Sequence, residues 1–198
     1  MTAGAMVGWT AVYLGVDLTT GILYAALVGA LFGLLHANFT VYLGASQHVT
    51  GIGITLLASS LSYFAFRLIL PSSTTPPKIE AFQPLQIPLL SDLPFFGPAL
   101  FQHTTFTYLP FLSVPLTMWL INKSPFGLAI KMAGENPMAL EAQGINVLTI
   151  RTLAVMIGSA FMAVGGAYLT MSAFNAFYFG MINGRGWIAI ALVIFASW

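Results

Sequence analysis

The sequence predicts an all-helical, polytopic transmembrane bundle, and three observations lead there. First, the 198 residues are 58% hydrophobic and only 6% charged, with a mean hydropathy of +0.90. A soluble domain is about a quarter charged. So few charges cannot cover a water-facing surface of this size, and the solvent for most of the chain is lipid. Second, apolar segments close to the length of a bilayer crossing recur along the chain. Inside hydrocarbon the backbone must pair within its own segment, which makes the helix the spanning element. Third, the most polar stretch, Lys131 to Val147 (KMAGENPMALEAQGINV), carries its own helix signals. A net charge of +1 gives no basic patch for nucleic acid. Cysteine is absent, so there is no disulfide framework or thiolate site.

Six spans are expected, at about 3–16, 21–36, 49–70, 105–122, 150–172 and 186–198. They frame one transmembrane domain over 1–198, with an external loop at 71–104 and a cytoplasmic loop at 123–149. The start shows no positive n-region, and the end stops inside an apolar run, so a fragment of a longer chain is expected.

The first span is rich in small residues, and Gly4-x-x-x-Gly8 permits close helix contact. Asp17 or Thr20 caps the next helix. That helix runs to about His36, and Phe39-Thr-Val-Tyr-Leu43 then favours extended geometry. Ser59, Ser60 and Ser62 in the third span can bond back to the preceding turn. Arg67 near its end can reach the headgroups. The stretch from Pro71 to Thr104 carries seven of the eleven prolines and cannot continue as helix. It reads as a structured external loop, extended over Pro84 to Leu93 and turning helical near Leu93 to Phe101. Pro110 and Pro115 predict a kink in the fourth span, and Trp119 sits at its interfacial end. The fifth span, opened by Arg151, has small-residue runs at Gly158-Ser-Ala160 and Ala163 to Ala167 that suit close packing. A loop rich in aromatics and glycine precedes the last segment, with Arg185 and Gly186 as anchor or gate residues at its start.

The polar stretch is the best candidate for function. Asn136 can cap a helix through its side chain, Pro137 fits the first helical position, and Met138 to Gln143 are good helix formers. Gly144 can turn left-handed and stop it. The result is a helix of about two turns, roughly 10 Å long. Apolar Met138, Ala139, Leu140 and Ala142 could seat in a groove of another protein. Elsewhere the chemistry is thin. His36, His48 and His103 lack a second ligand at helical spacing. Glu135 and Glu141 flank a helix start rather than forming an acid–base pair. There is no Walker-type glycine loop, so ATP is not bound by this chain, and no cofactor or enzymatic activity is expected. Lys123, Lys131 and Arg151 against Lys78 place the 123–149 loop in the cytoplasm by the positive-inside bias.

GENPMALEAQGINV, the later GGAYL and GRGWIAIALVIFASW together resemble the permease subunit of bacterial ATP-binding-cassette importers of the simple-sugar and nucleoside class. Branched-chain amino-acid permeases are more distant relatives. The Pro-rich PLQIPLLSDLPFFGP is similar to the nucleoside-type branch. The resemblance implies that Gly134, Glu135, Asn136, Pro137, Met138, Ala139, Leu140, Glu141, Ala142, Gly144 and Ile145 belong to a coupling helix that docks on a separate ATPase subunit. It also implies a second permease subunit, an extracytoplasmic substrate-binding protein and a multi-pass location in the bacterial inner membrane. The cargo would be a nucleoside or simple sugar. The competing reading, an ion-gradient-driven secondary transporter, predicts intramembrane carboxylates. Asp17, Glu80, Asp92, Glu135 and Glu141 all fall in expected loops, which counts against it.

Overall fold

The structure, a computed structural model, describes residues 1–71, 76–80, 82, 84–86 and 102–196. Among these the helices are α1 (Thr2–Tyr13), α2 (Leu18–Ala37), α3 (Gln47–Ile69), α4 (Thr105–Lys123), α5 (Pro125–Glu135), α6 (Pro137–Ala142), α7 (Val147–Tyr168) and α8 (Arg185–Ala196). A short antiparallel ribbon pairs β1 (Pro84–Gln86) with β2 (Gln102–Thr104), Leu85 opposite His103. The expected helical turn near Leu93 to Phe101 lies outside the described residues. Among the described residues, three helical stretches are long and apolar enough to cross a membrane: Leu18–Tyr42, Gln47–Ile69 and Val147–Ala173. The chain packs as two compact units, residues 1–80 with 155–198, and residues 81–154.

In the first unit, small residues set the helix spacing. A Cβ on Gly4 would lie 2.3 Å from Ala163 O, and one on Gly8 3.1 Å from Ala167 Cβ. The Gly4-x-x-x-Gly8 pattern is therefore the contact face of α1 on α7. α2 meets the same helix through Gly29 and Gly33, where added Cβ atoms would lie 2.4 Å from Ala163 Cβ and 2.7 Å from Ser159 Cβ. Lipid tails are as apolar as the side chains, so association depends on this close van der Waals fit. Thr170 is fully buried beside it, and its hydroxyl lies 3.1 Å from Ala5 O and 3.0 Å from Ala167 O.

Aromatic rings close one end of this unit. Trp9 is fully buried, stacks on Tyr13 at 5.1 Å and lies 5.5 Å from Phe66. Phe177, from the loop after α7, is buried against Trp9 and Phe66. Trp9 Nε1–H donates to Pro77 O at 3.3 Å, and Gly180 N–H donates to the Tyr63 hydroxyl at 2.9 Å. Arg67 lies over the Phe179 ring at 5.5 Å. The loop expected from its glycines and aromatics is thus folded inward on its rings.

Asp17 caps α2, accepting from Thr19 N–H at 3.1 Å and from the Thr19 hydroxyl. The Thr19 side-chain bond, then the backbone one, hold the Asp17 carboxyl below the usual carboxylate range. This cap is in place above the unfolded carboxyl's pKa and is lost as pH falls through the lowered one.

One local expectation fails. Phe39 to Leu43 is not extended: α2 continues as a π-helical turn over Asn38–Tyr42, and Leu43 N–H donates to Asn38 O at 3.1 Å. The residues favour β structure only where a partner strand takes their backbone groups. No strand pairs with this stretch among the described residues. Unpaired backbone groups in lipid cost several kcal/mol each, so the helical pairing wins. Thr40 joins it by donating its hydroxyl to His36 O at 2.9 Å.

In the second unit, α4 runs unbroken through Pro110 and Pro115. Ser113 Oγ donates to Pro110 O at 2.8 Å, and Thr117 Oγ1 to Ser113 O at 2.7 Å. The rings of Phe82 and Phe106 meet at 5.3 Å beside the ribbon. The remainder of the unit is the segment from α5 to the first turns of α7.

Candidate functional site

The segment begins with a sharp reversal after α4. Ser124 Oγ accepts from Gly127 N–H at 3.0 Å and donates to Leu120 O at 2.6 Å. Pro125 occupies the first turn of α5. A Cβ on Gly127 would lie 2.2 Å from Leu120 O, so only glycine permits the approach of α5 to the end of α4. Ser124-Pro125 is the same cap-then-proline signal as Asn136-Pro137. Within the stretch expected as a loop, the first of these signals starts a second helix, α5.

α5 buries Ala129 and Ala133 and turns Lys131 outward, where its ammonium donates to Asn122 Oδ1 at 2.7 Å. Asn136 then breaks the helix with φ −145° and ψ 83°. Its Oδ1 accepts from Ala139 N–H at 3.1 Å, with Pro137 at the helix start, as the sequence indicates. Gly144 has φ +77°, and its N–H donates to Glu141 O at 2.8 Å while Ile145 N–H donates to Leu140 O at 3.3 Å. α6 is therefore closed at both ends. Asn146 starts α7 in turn, its Oδ1 accepting from Leu148 N–H at 2.9 Å.

The structure divides the site residues by face. Leu140 is fully buried in a small core with Ala129, Ala133 and Val147, against which Met132 and Ile150 pack. Met138 is 82% exposed. Gly134, Glu135, Asn136, Glu141, Ala142, Gly144 and Ile145 are exposed, and Pro137 and Ala139 are half-buried. Of the four apolar residues that the sequence offers to a partner, Leu140 anchors the helix and Met138 projects from it. Truncating the cap tests this construction. Asn136→Ala is expected to cost about 1 kcal/mol, read as roughly fivefold faster amide exchange at Ala139 and Leu140.

Arg185 and Gly186 lie in the first unit. Arg185 is exposed, donates to Met181 O and sits over the Phe174 ring at 5.8 Å. Gly186 lies on the wall of a cavity of about 680 Å³ shared with His36, His48, Ser59, Tyr63 and Trp187.

The sequence matches the family described as branched-chain amino acid transport system, permease component, over residues 1–198. The chain belongs to that family. It is 35% identical over 178 residues to the guanosine ABC transporter permease protein NupQ of Bacillus subtilis, covering 89% of this chain and 56% of that protein. It is 32% identical over 202 residues to the putative glucose ABC transporter permease protein TsgC13 of Haloferax volcanii, covering 100% of this chain and 60% of that one. The nucleoside ABC transporter permease protein NupC of Lactococcus lactis is 34% identical over 178 residues, 89% of this chain and 56% of its own length. This permease-family chain thus spans little more than half the length of these relatives. No solved structure matches it.

Proposed function

We propose that this chain is part of the permease subunit of an ATP-binding-cassette importer, forming half of the pathway for a nucleoside or simple sugar. The named relatives support the transport class and both cargo types. ATP hydrolysis belongs to a separate subunit that α6 contacts. A second permease subunit completes the path, and an extracytoplasmic binding protein delivers the cargo. Arg185 and Gly186, at the head of α8, serve as an interfacial anchor or as a gate. The 123–149 loop faces the cytoplasm, consistent with Lys123, Lys131 and Arg151 there.

The observation that carries the reading is α6 itself: a six-residue helix capped by Asn136, seated on Leu140 and presenting Met138 almost fully to solvent. An isolated helix this short does not persist in water. Its anchoring gives a rigid knob, and a partner's movement passes only through a bistable or unyielding element. Met138→Asp tests it. Aspartate in the first turn suits the positive end of the helix dipole, so insertion and local fold survive. Co-purification of the ATPase subunit with the full-length permease is expected to fall at least about tenfold, or roughly 1.4 kcal/mol. Undiminished co-purification sinks the docking assignment.

A further inference from the structure

We propose that Arg151 is a positioning residue that fastens the end of α5 to α7, so that α6 and the first turns of α7 move as one body. The inference rests on the coupling role of α6 and adds the part that transmits its motion.

The last four carbonyls of a helix lack intrahelical partners. At the end of α5, Met132 O is taken by Asn136 N–H at 2.9 Å. Ala133 O is taken by Arg151 Nη2, reaching back 18 residues from the second turn of α7, also at 2.9 Å. A guanidinium at the negative end of the helix dipole is favourable on charge as well as on hydrogen bonding. Ala133 is buried in the same small core as Leu140 and Val147, so the clamp sits over the contact that seats α6.

The other ties are weaker as transmitters. α5 joins α6 through Asn136, whose φ of −145° breaks the helix, and α6 joins α7 through Gly144 at φ +77°. Both are single-residue pivots between elements. The packing of Leu140 on Val147 resists separation but carries no directional bond. Ser124 and Gly127 bind the other end of α5 to α4. Without Arg151, a push on α6 could turn about its two pivots and leave α7 in place. With it, α5, α6 and the start of α7 form a closed triangle. The first turns of α7, Val147 to Ala154, belong to the same compact unit as α5 and α6, so displacement of that triangle is displacement of the start of α7.

Arg151→Met keeps an apolar stem and removes every donor; Arg151→Lys keeps the charge and a donor. The first measurement is amide exchange across residues 134–145 in the full-length permease alone. Arg151→Met should speed exchange there at least about fivefold, and Arg151→Lys should recover most of the loss. Unchanged exchange in Arg151→Met overturns the clamp, whatever the ATPase does. The second uses Leu153→Cys in an otherwise cysteine-free transporter and the maleimide reactivity change produced by ATP with vanadate in the assembled complex. Arg151→Met should retain the ATPase subunit and its hydrolysis but reduce that change at least about threefold. An undiminished change, or loss of the ATPase from Arg151→Met, overturns transmission through this residue. If the wild-type permease itself fails to hold an ATPase subunit, the proposed function falls, and the exchange measurement still decides the clamp.

Discussion

Gly29→Leu is expected to separate α2 from α7 and to give a large loss of stability in the first unit. The glycine faces α7 so closely that even a methyl group would lie 2.4 Å from Ala163 Cβ and 2.7 Å from Ser159 O. One of those neighbours is backbone, so a rotamer change cannot make room. α7 is also held at Ala163 by Gly4 of α1, where an added Cβ would meet Ala163 O at 2.3 Å. The helix cannot retreat from α2 without disturbing its contact with α1 at the same residue. Overpacking costs about 1–3 kcal/mol in cores that can adjust; four added carbons against fixed backbone belong at about 3 kcal/mol. For a chain of this size, that lowers the unfolding midpoint by about 6–12 °C. Thermal unfolding of the purified permease in detergent, followed by fluorescence, measures it. Gly158→Ala on α7 is the control, because nothing lies within 4 Å of its Cβ position. It should leave the midpoint unchanged or raise it slightly, as alanine favours the helix by up to about 1 kcal/mol. Equal shifts for the two variants would falsify the close-contact account.

That contrast also marks where the sequence is readable. Helix class, the cap at Asp17 and the start and stop of α6 follow from composition and local chemistry, since the groups that satisfy one another lie within four residues. The small-residue runs on α1 and α7 announce close packing. They do not say that Gly29 and Gly33 of α2 share the face with Gly4, because a chain rich in glycine offers many equivalent pairings. The π-turn at Asn38–Tyr42 is illegible for a different reason. Its residues prefer strand, and only the lack of a pairing partner overrides them. The burial of Phe177 between Trp9 and Phe66 joins residues more than 100 positions apart, and no local pattern encodes it. At the candidate site, the sequence shows the helix but not its orientation. Met138 and Leu140 both read as apolar, and two positions along a short helix decide which is knob and which is root. Arg151 reads only as a positive charge at a span end, because its acceptor is a backbone carbonyl 18 residues away.

The orientation of α6 yields the second large effect. Leu140→Ala removes the one side chain of α6 that is completely buried, from a core built mainly of alanine and valine. Ala129 and Ala133 have no spare length to collapse into the space, which leaves only Met132 and Ile150 at its edge to shift, so the cost should approach the middle of the usual range for such truncations, about 3 kcal/mol. A helix of six residues has little intrinsic stability to set against that. The cap at Asn136 contributes about 1 kcal/mol, less than the loss. Local opening of α6 is therefore expected rather than global unfolding, because the glycine-lined contacts of the first unit are untouched. Amide exchange over residues 138–145 should rise by about two orders of magnitude at 1.4 kcal/mol per tenfold, while exchange in α2 stays as it was. Met138→Ala should leave both unchanged, since surface truncations shift stability by less than about 0.5 kcal/mol. The two variants then separate structure from docking: Leu140→Ala weakens ATPase binding by dissolving the helix, Met138→Ala by removing only what it presents. If Met138→Ala loosens the helix and Leu140→Ala does not, α6 sits the other way round, and the surface offered to the ATPase is the face described here as buried.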